Sequence, residues 1–214
     1  MVAETSPVFE WVIWGLNIMA TMVLAISGVS QAARQQMDFF GALVLACVCA
    51  LGGGSLRDLL MGATPVFWTR DLSYLAVILP TTVVGILVVQ YIPPGRGIRL
   101  RILDVADAVG LALFAILGAQ KALYLGFAEP VAVVMGVVTG IAGGMIRDLL
   151  SQCTPMVMRE EIYASAAIMG IIIYTLLRLV LEEVPAMVAG MAVVVLVRLA
   201  AIFWHWRMPI LKRQ

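Results

Sequence analysis

Two stretches of this sequence set an arginine beside an aspartate inside apolar surroundings. Residues 53–65 read Gly-Gly-Ser-Leu-Arg-Asp-Leu-Leu-Met-Gly-Ala-Thr-Pro, and residues 143–155 read Gly-Gly-Met-Ile-Arg-Asp-Leu-Leu-Ser-Gln-Cys-Thr-Pro. Eight of the thirteen positions are identical without a gap. Charge inside a bilayer is expensive, so Arg57, Asp58, Arg147 and Asp148 each need a partner or a wet cavity. Such groups in such a setting point to the passage or exclusion of ions rather than to bond making.

Glycine precedes each pair. Gly52, Gly53 and Gly54 in the first copy, and Gly143 and Gly144 in the second, each cost a helix about 1 kcal/mol relative to alanine. Matched clusters predict kinked helices that line a pathway, with freed carbonyls turned to a water-filled cavity where cations can bind. Close helix packing through small residues is the plainer alternative. Arg57 follows Gly54 and Gly53 by three and four residues, and Arg147 stands likewise to Gly144 and Gly143, so each set shares a helix face. Asp58 and Asp148 lie about 100° further round. That predicts pairing with the arginine of the other copy, or capping of a neighbouring helix, rather than a bond to their own arginine. The charges either fix the fold as a buried network or act in conduction, and the two roles are compatible.

Lys121 is the one lysine within an apolar segment. It either snorkels to the interface or gates the mouth of a pathway. Asp104 and Asp107, at the expected start of a helix, read as partners of its dipole. Arg198 reads as snorkelling or facing lipid headgroups, and His205 as interfacial. Cys47, Cys49 and Cys153 match no zinc spacing and read as small core packers. The sequence holds no His/Cys/Glu ligand set, no Ser/His/Asp set and no phosphate-cradling loop. No enzyme, cofactor or structural metal is expected, and a net charge of +1 implies no nucleic-acid partner.

The elements that position these residues follow from composition. Of 214 residues, 63% are hydrophobic and only 13% charged, with a mean hydropathy of +1.04. A water-soluble fold of this size has no means of hiding so much apolar surface. Seven apolar segments stand out, at about 8–29, 40–61, 73–92, 104–124, 130–150, 162–181 and 185–206. The expected fold class is therefore all-α integral membrane with seven transmembrane helices. Pro93-Pro94-Gly95-Arg96-Gly97 is the clearest break. Met1–Pro7 has no Lys or Arg and so lacks the start of a secretory signal, which predicts that the first segment is retained. Placing the N-terminus outside and the C-terminus inside puts Arg34, Arg96, Arg99, Arg101, Arg159, Arg207, Lys212 and Arg213 on the inner side. The outer side then keeps Arg70 and Arg178, the bias that the positive-inside rule requires. Trp11 and Trp14 fall near the outer interface, and Trp204 and Trp206 near the inner one.

The two motif copies are 90 residues apart. The same offset sets Gly28 on Gly118, Gln31 on Lys121 and Trp68 on Met158. The repeat is thus three segments (about 8–92) followed by three more (about 104–181), with a segment at 185–206 outside it, all within one transmembrane domain, 1–214. An odd number of spans per unit inverts the second unit against the first.

Seven spans as two inverted three-helix repeats plus a seventh helix, with Gly-Gly-X-X-Arg-Asp in the second and fifth, resemble the prokaryotic trimeric intracellular cation (TRIC) channels. The same sequence class is also described as bacterial glycine-transporter-domain proteins. The resemblance implies a homotrimer in the inner (plasma) membrane of a prokaryote, with one pore per subunit that conducts potassium and, less well, sodium. It implies bending at Gly53, Gly54, Gly143 and Gly144, transient K+ near their carbonyls, bound lipid, and a gating role for Lys121. Animal members continue that lysine as Lys-Glu-Val. Here Ala122 and Leu123 follow, so only the lysine matches. The alternative is a secondary transporter of a small solute such as glycine, and a trimeric scaffold comes third. Gly110, Ala115, Gly118, Gly136 and Gly140 are candidates for the trimer seam.

Overall fold

The computed structural model describes residues 7–91, 96–159 and 162–204. In chain order the helices among them are α1 (Pro7–Arg34), α2 (Phe39–Leu60), α3 (Phe67–Arg70), α4 (Ser73–Tyr91), α5 (Arg96–Tyr124), α6 (Glu129–Leu150), α7 (Met156–Arg159), α8 (Ala164–Leu177) and α9 (Glu183–Trp204). Among the described residues there is no strand. Six helices are long and apolar enough to cross a membrane: α1, α2, α4, α5, α6 and α9. The expectations for Pro93–Gly95, His205, Trp206, Arg207, Lys212 and Arg213, and for the side chains of Arg96 and Arg99, lie outside the described residues.

Two segments differ from expectation. α5 begins at Arg96 rather than near 104, because Arg96, Arg99 and Arg101 lower the hydropathy of the run while remaining good helix formers. The sixth segment contracts to α8, whose 14 residues reach about 21 Å. Beyond Leu177 the chain tightens into a turn, with Leu179 N–H bonded to Leu176 O and Val180 N–H to Leu177 O.

Four of the long helices end in one way. Met37 N–H donates to Ala32 O (3.0 Å), Ala63 to Asp58 (2.8 Å), Phe127 to Ala122 (3.1 Å) and Cys153 to Asp148 (2.9 Å). The residue before each donor has a left-handed backbone: Gln36 at φ 54°, Gly62 at 67°, Gly126 at 84° and Gln152 at 54°. This is the Schellman closure. Gln36 pairs with Gly126, and Gly62 with Gln152, at the offset of the doubled motif. The backbone keeps the match even where glycine in one copy faces glutamine in the other.

The helices also cross at matched points. A Cβ on Gly28 would lie 2.8 Å from Ala46 N, between α1 and α2, and one on Gly118 would lie 3.1 Å from Gly136 Cα, between α5 and α6. A Cβ on Gly53 would strike the Thr139 carbonyl oxygen, and one on Gly143 would strike that of Cys49. Residue numbers rise along α2 as they fall along α6 through this contact, so the two helices cross antiparallel. Both run as continuous α-helix through their glycines. The carbonyls expected to be freed there stay in the helices, and the glycines at the crossing serve close approach instead. The small residues offered for a trimer seam are likewise used inside the chain: Gly136 meets Ala115 O, Gly140 meets Leu111, and Gly110 meets Leu24. α5 lies at the centre, packed on α1, α6, α8 and α9.

Candidate functional site

The last turns of α2 bring Arg57 and Asp58 into the interior, with 3% and 0% of their surfaces exposed. Arg57 Nε and Nη2 both donate to Asp58 Oδ1 at 2.8 Å. Lys121 Nζ, from the end of α5, reaches the same oxygen at 2.7 Å. Asp58 Oδ2 accepts the Phe67 N–H at 3.0 Å, which caps α3. The Phe67 ring lies 5.7 Å from the Arg57 guanidinium, in space that a side chain on Gly54 would occupy. Trp68 Nε1 donates to Ser55 Oγ at 3.0 Å and ties α3 to α2.

The second copy builds a related cluster from different neighbours. Arg147 is fully buried. Its Nε and Nη2 donate to Asp148 Oδ1 at 2.8 Å, and its Nη1 donates to Asp107 Oδ1 at 2.7 Å and to the Ser27 hydroxyl. Asp148 Oδ2 accepts the Met156 N–H at 3.0 Å, capping α7. Tyr163 donates its hydroxyl to Asp107 Oδ2 at 2.6 Å. Arg198 of α9 stands 4.7 Å over the Tyr163 ring and donates to Ile162 O at 2.9 Å. A Cβ on Gly144 would sit 3.1 Å from Asp107 Oδ1 and 3.4 Å from Tyr163 Oη. Gly54 and Gly144 therefore make room for the groups that hold the arginines, and Gly53 and Gly143 make room for the other helix. Gly52 meets only Ile146 Cδ1 at 3.1 Å and the Gly143 Cα at 3.8 Å.

Several expectations are corrected here. Asp58 and Asp148 do bind their own arginines. The 100° step separates Cβ atoms, but a guanidinium on a long stem bends round to the next residue. The capping half of the expectation holds for both. Lys121 is paired with Asp58 rather than snorkelling. Asp107 is no partner of a helix dipole, because the earlier start of α5 puts it mid-helix, where it binds Arg147. Arg198 is 1% exposed and faces neither headgroups nor lipid. Cys153 accepts from Gln31 Nε2 (3.3 Å) and Gln35 Nε2 (3.0 Å), so it is a polar contact rather than a core packer. Ser27 and Tyr163 were missed. Both are unremarkable as sequence, and Tyr163 was legible only as the first polar aromatic after the charged turn.

α5 joins the clusters, holding Asp107 in one and Lys121 in the other. Fourteen residues of helix set their backbone positions about 21 Å apart, inside a hydrocarbon layer of about 30 Å. Among ion-paired side chains the first cluster has two cations to one carboxylate and the second has one cation to two, with Arg198 standing beyond Tyr163. Among the described residues, no group of three or more His, Cys, Asp or Glu side chains is placed to hold a metal ion.

A family model described as glycine transporter matches residues 15–90 and again 104–179. A "UPF0126 membrane protein" of Vibrio cholerae is 45% identical over 197 residues, covering 91% of this chain and 80% of that one. The "UPF0126 inner membrane protein YadS" of Escherichia coli K12 is 43% identical over 201 residues, covering 92% and 95%. Among solved structures, the TRIC trimeric intracellular cation channel orthologue from Rhodobacter sphaeroides superposes with a TM-score of 0.85 at 35% identity, covering 91% of this chain and 99% of that one. With six apolar spans among the described residues, the chain is a multi-pass helical membrane protein.

Proposed function

The chain belongs to the glycine-transporter family and has the fold of the TRIC channels, and from that premise we propose that it is a passive channel for monovalent cations, potassium foremost. Each subunit of a homotrimer holds one path. The observation that carries this reading is the pair of buried charge clusters on either side of the α2–α6 crossing. Cations beside such a path would repel the permeant ion unless neutralised, and here each arginine and Lys121 is paired with a carboxylate. Lys121 is the group best able to leave, since its side chain is 30% exposed and Asp58 keeps Arg57 without it. The path runs past Gly52, Gly53, Gly54, Gly143 and Gly144 and opens by bending of α2 and α6 there, which parts the close contacts that Gly53 and Gly143 make with the facing backbone. Its requirements beyond protein are the permeant K+ and surrounding lipid.

The proposed architecture is two inverted three-helix units, about 8–92 and 104–181, with α9 added. The antiparallel crossing and the Schellman closures at a common offset support it. The distribution of arginines supports an outer N-terminus and an inner C-terminus. The name of the Escherichia coli relative supports the inner membrane.

Recording from purified protein in a planar bilayer tests the reading. Unitary potassium currents without any solute gradient are expected. Strictly saturable, glycine-coupled flux without unitary steps would overturn it. The family description favours that second reading, a carrier of a small solute. Opposite surplus charges would attract a carboxylate and an amine, but Arg147, Asp107 and Asp148, at 0%, 1% and 3% exposed, leave no room for a solute beside them.

A further inference from the structure

The two charge clusters do not match at the offset of the doubled motif. In the second, Arg147 Nη1 has two acceptors, Asp107 Oδ1 at 2.7 Å and the Ser27 hydroxyl. In the first, the corresponding positions hold Asn17 and Leu117. Asn17 carries no charge, and its amide donates back to Ile13 O at 2.8 Å within α1. Leu117 has no polar side-chain atom. Arg57 spends Nε and Nη2 on Asp58 Oδ1, and among the described residues its Nη1 has no acceptor. Lys121 stands where the other copy has Gln31. The first cluster has thus lost a carboxylate and gained an ammonium. Asp71, the next acidic residue along the chain, does not make up the loss, because it is held by Trp14 Nε1 at 3.0 Å and the Ser73 N–H at 2.9 Å.

We propose that a chloride ion takes the place of the missing carboxylate, held by Arg57 Nη1 and Lys121 Nζ. A buried guanidinium with an unmet donor is costly, and a charge-assisted bond to an anion removes that cost. Lys121 Nζ and the guanidinium share Asp58 Oδ1, so the two cations already stand about a single atom. An ammonium has three donors, and Asp58 takes one of them. One surplus positive charge matches one negative charge, whereas a divalent anion would overshoot it and cost more to strip of water. Arg57 is 3% exposed and the Phe67 ring lies 5.7 Å from its guanidinium, so an ion that reaches Nη1 is small. Lys121, with 30% of its side chain exposed, leaves the way in. The inference rests on the cluster alone and stands whether the chain is a channel or a carrier.

Thermal melting of the purified full chain in detergent tests it, with potassium chloride titrated against potassium gluconate at constant ionic strength. A ligand that binds only the folded state raises the melting temperature saturably, and chloride is expected to do so where gluconate does not. Asn17→Asp restores the carboxylate that the other copy has. It should melt in gluconate as the parent melts in chloride, and should gain nothing further from chloride. Lys121→Gln should raise the chloride concentration for half the effect about tenfold, the size of one lost charge-assisted contact. It also decides the matter if Asn17→Asp does not fold. Identical melting of the parent in the two salts would overturn the proposal. So would a parental chloride response in folded Asn17→Asp, or in Lys121→Gln, since a general salt effect would survive both changes.

Discussion

Arg147 and Lys121 are both cations bonded to carboxylates, yet their surroundings give them different worth. Arg147 is sealed among Asp148, Asp107, Ser27 and the thioether of Met156. Arg147→Met leaves two carboxylates in the interior without a cation, and breaking a buried pair this way costs about 3–5 kcal/mol. A large fall in melting temperature in detergent is expected. Lys121→Met removes a partly exposed ammonium from a carboxylate that keeps Arg57, so the cost should stay well below that of Arg147→Met. Its effect should appear in current instead: under the channel reading, open probability changes while melting barely moves. A melting loss as large as that of Arg147→Met would show Lys121 to be a structural strut.

At the scale of the helix pair, the glycines should separate by position rather than act alike. Gly53→Ala and Gly143→Ala drive a methyl into a carbonyl of the opposing backbone, and overpacking of that kind costs about 1–3 kcal/mol. Gly52→Ala meets the flexible end of Ile146 and gains up to about 1 kcal/mol of helix propensity, so it should be neutral or stabilising. Thermal melts of the three variants check this. α9 gives a second case: Arg198→Met removes the cation over Tyr163, and Tyr163 holds Asp107 against Arg147. It should lower stability and leave Lys121 and Asp58 undisturbed, which cross-linking or labelling at Lys121 can read. The spans and the doubled Arg-Asp motif were legible in the sequence because hydropathy and identity are local properties. The partners were not. Asp107, Ser27, Tyr163 and Arg198 come from four different elements, and only packing sets them beside Arg147. The self-pairing of Arg57 with Asp58 was not legible either, because a guanidinium on a long, flexible stem reaches well away from the direction of its own Cβ.

For the whole molecule, the proposed orientation predicts that a fluorescent protein fused to the C-terminus is bright and that alkaline phosphatase fused there is inactive; the reverse pattern would invert the assignment. Mass measurement in detergent is expected to give three chains. The unlike composition of the two clusters has an electrical consequence of its own. Under the channel reading, a cation crossing the protein meets the sealed, carboxylate-bearing Arg147 cluster from one side and the partly exposed Lys121 from the other, and the two present unlike fields to it. Such a conduit rectifies: in symmetric salt a single molecule should pass unequal currents at equal voltages of opposite sign, and neutralising Lys121 should straighten the curve.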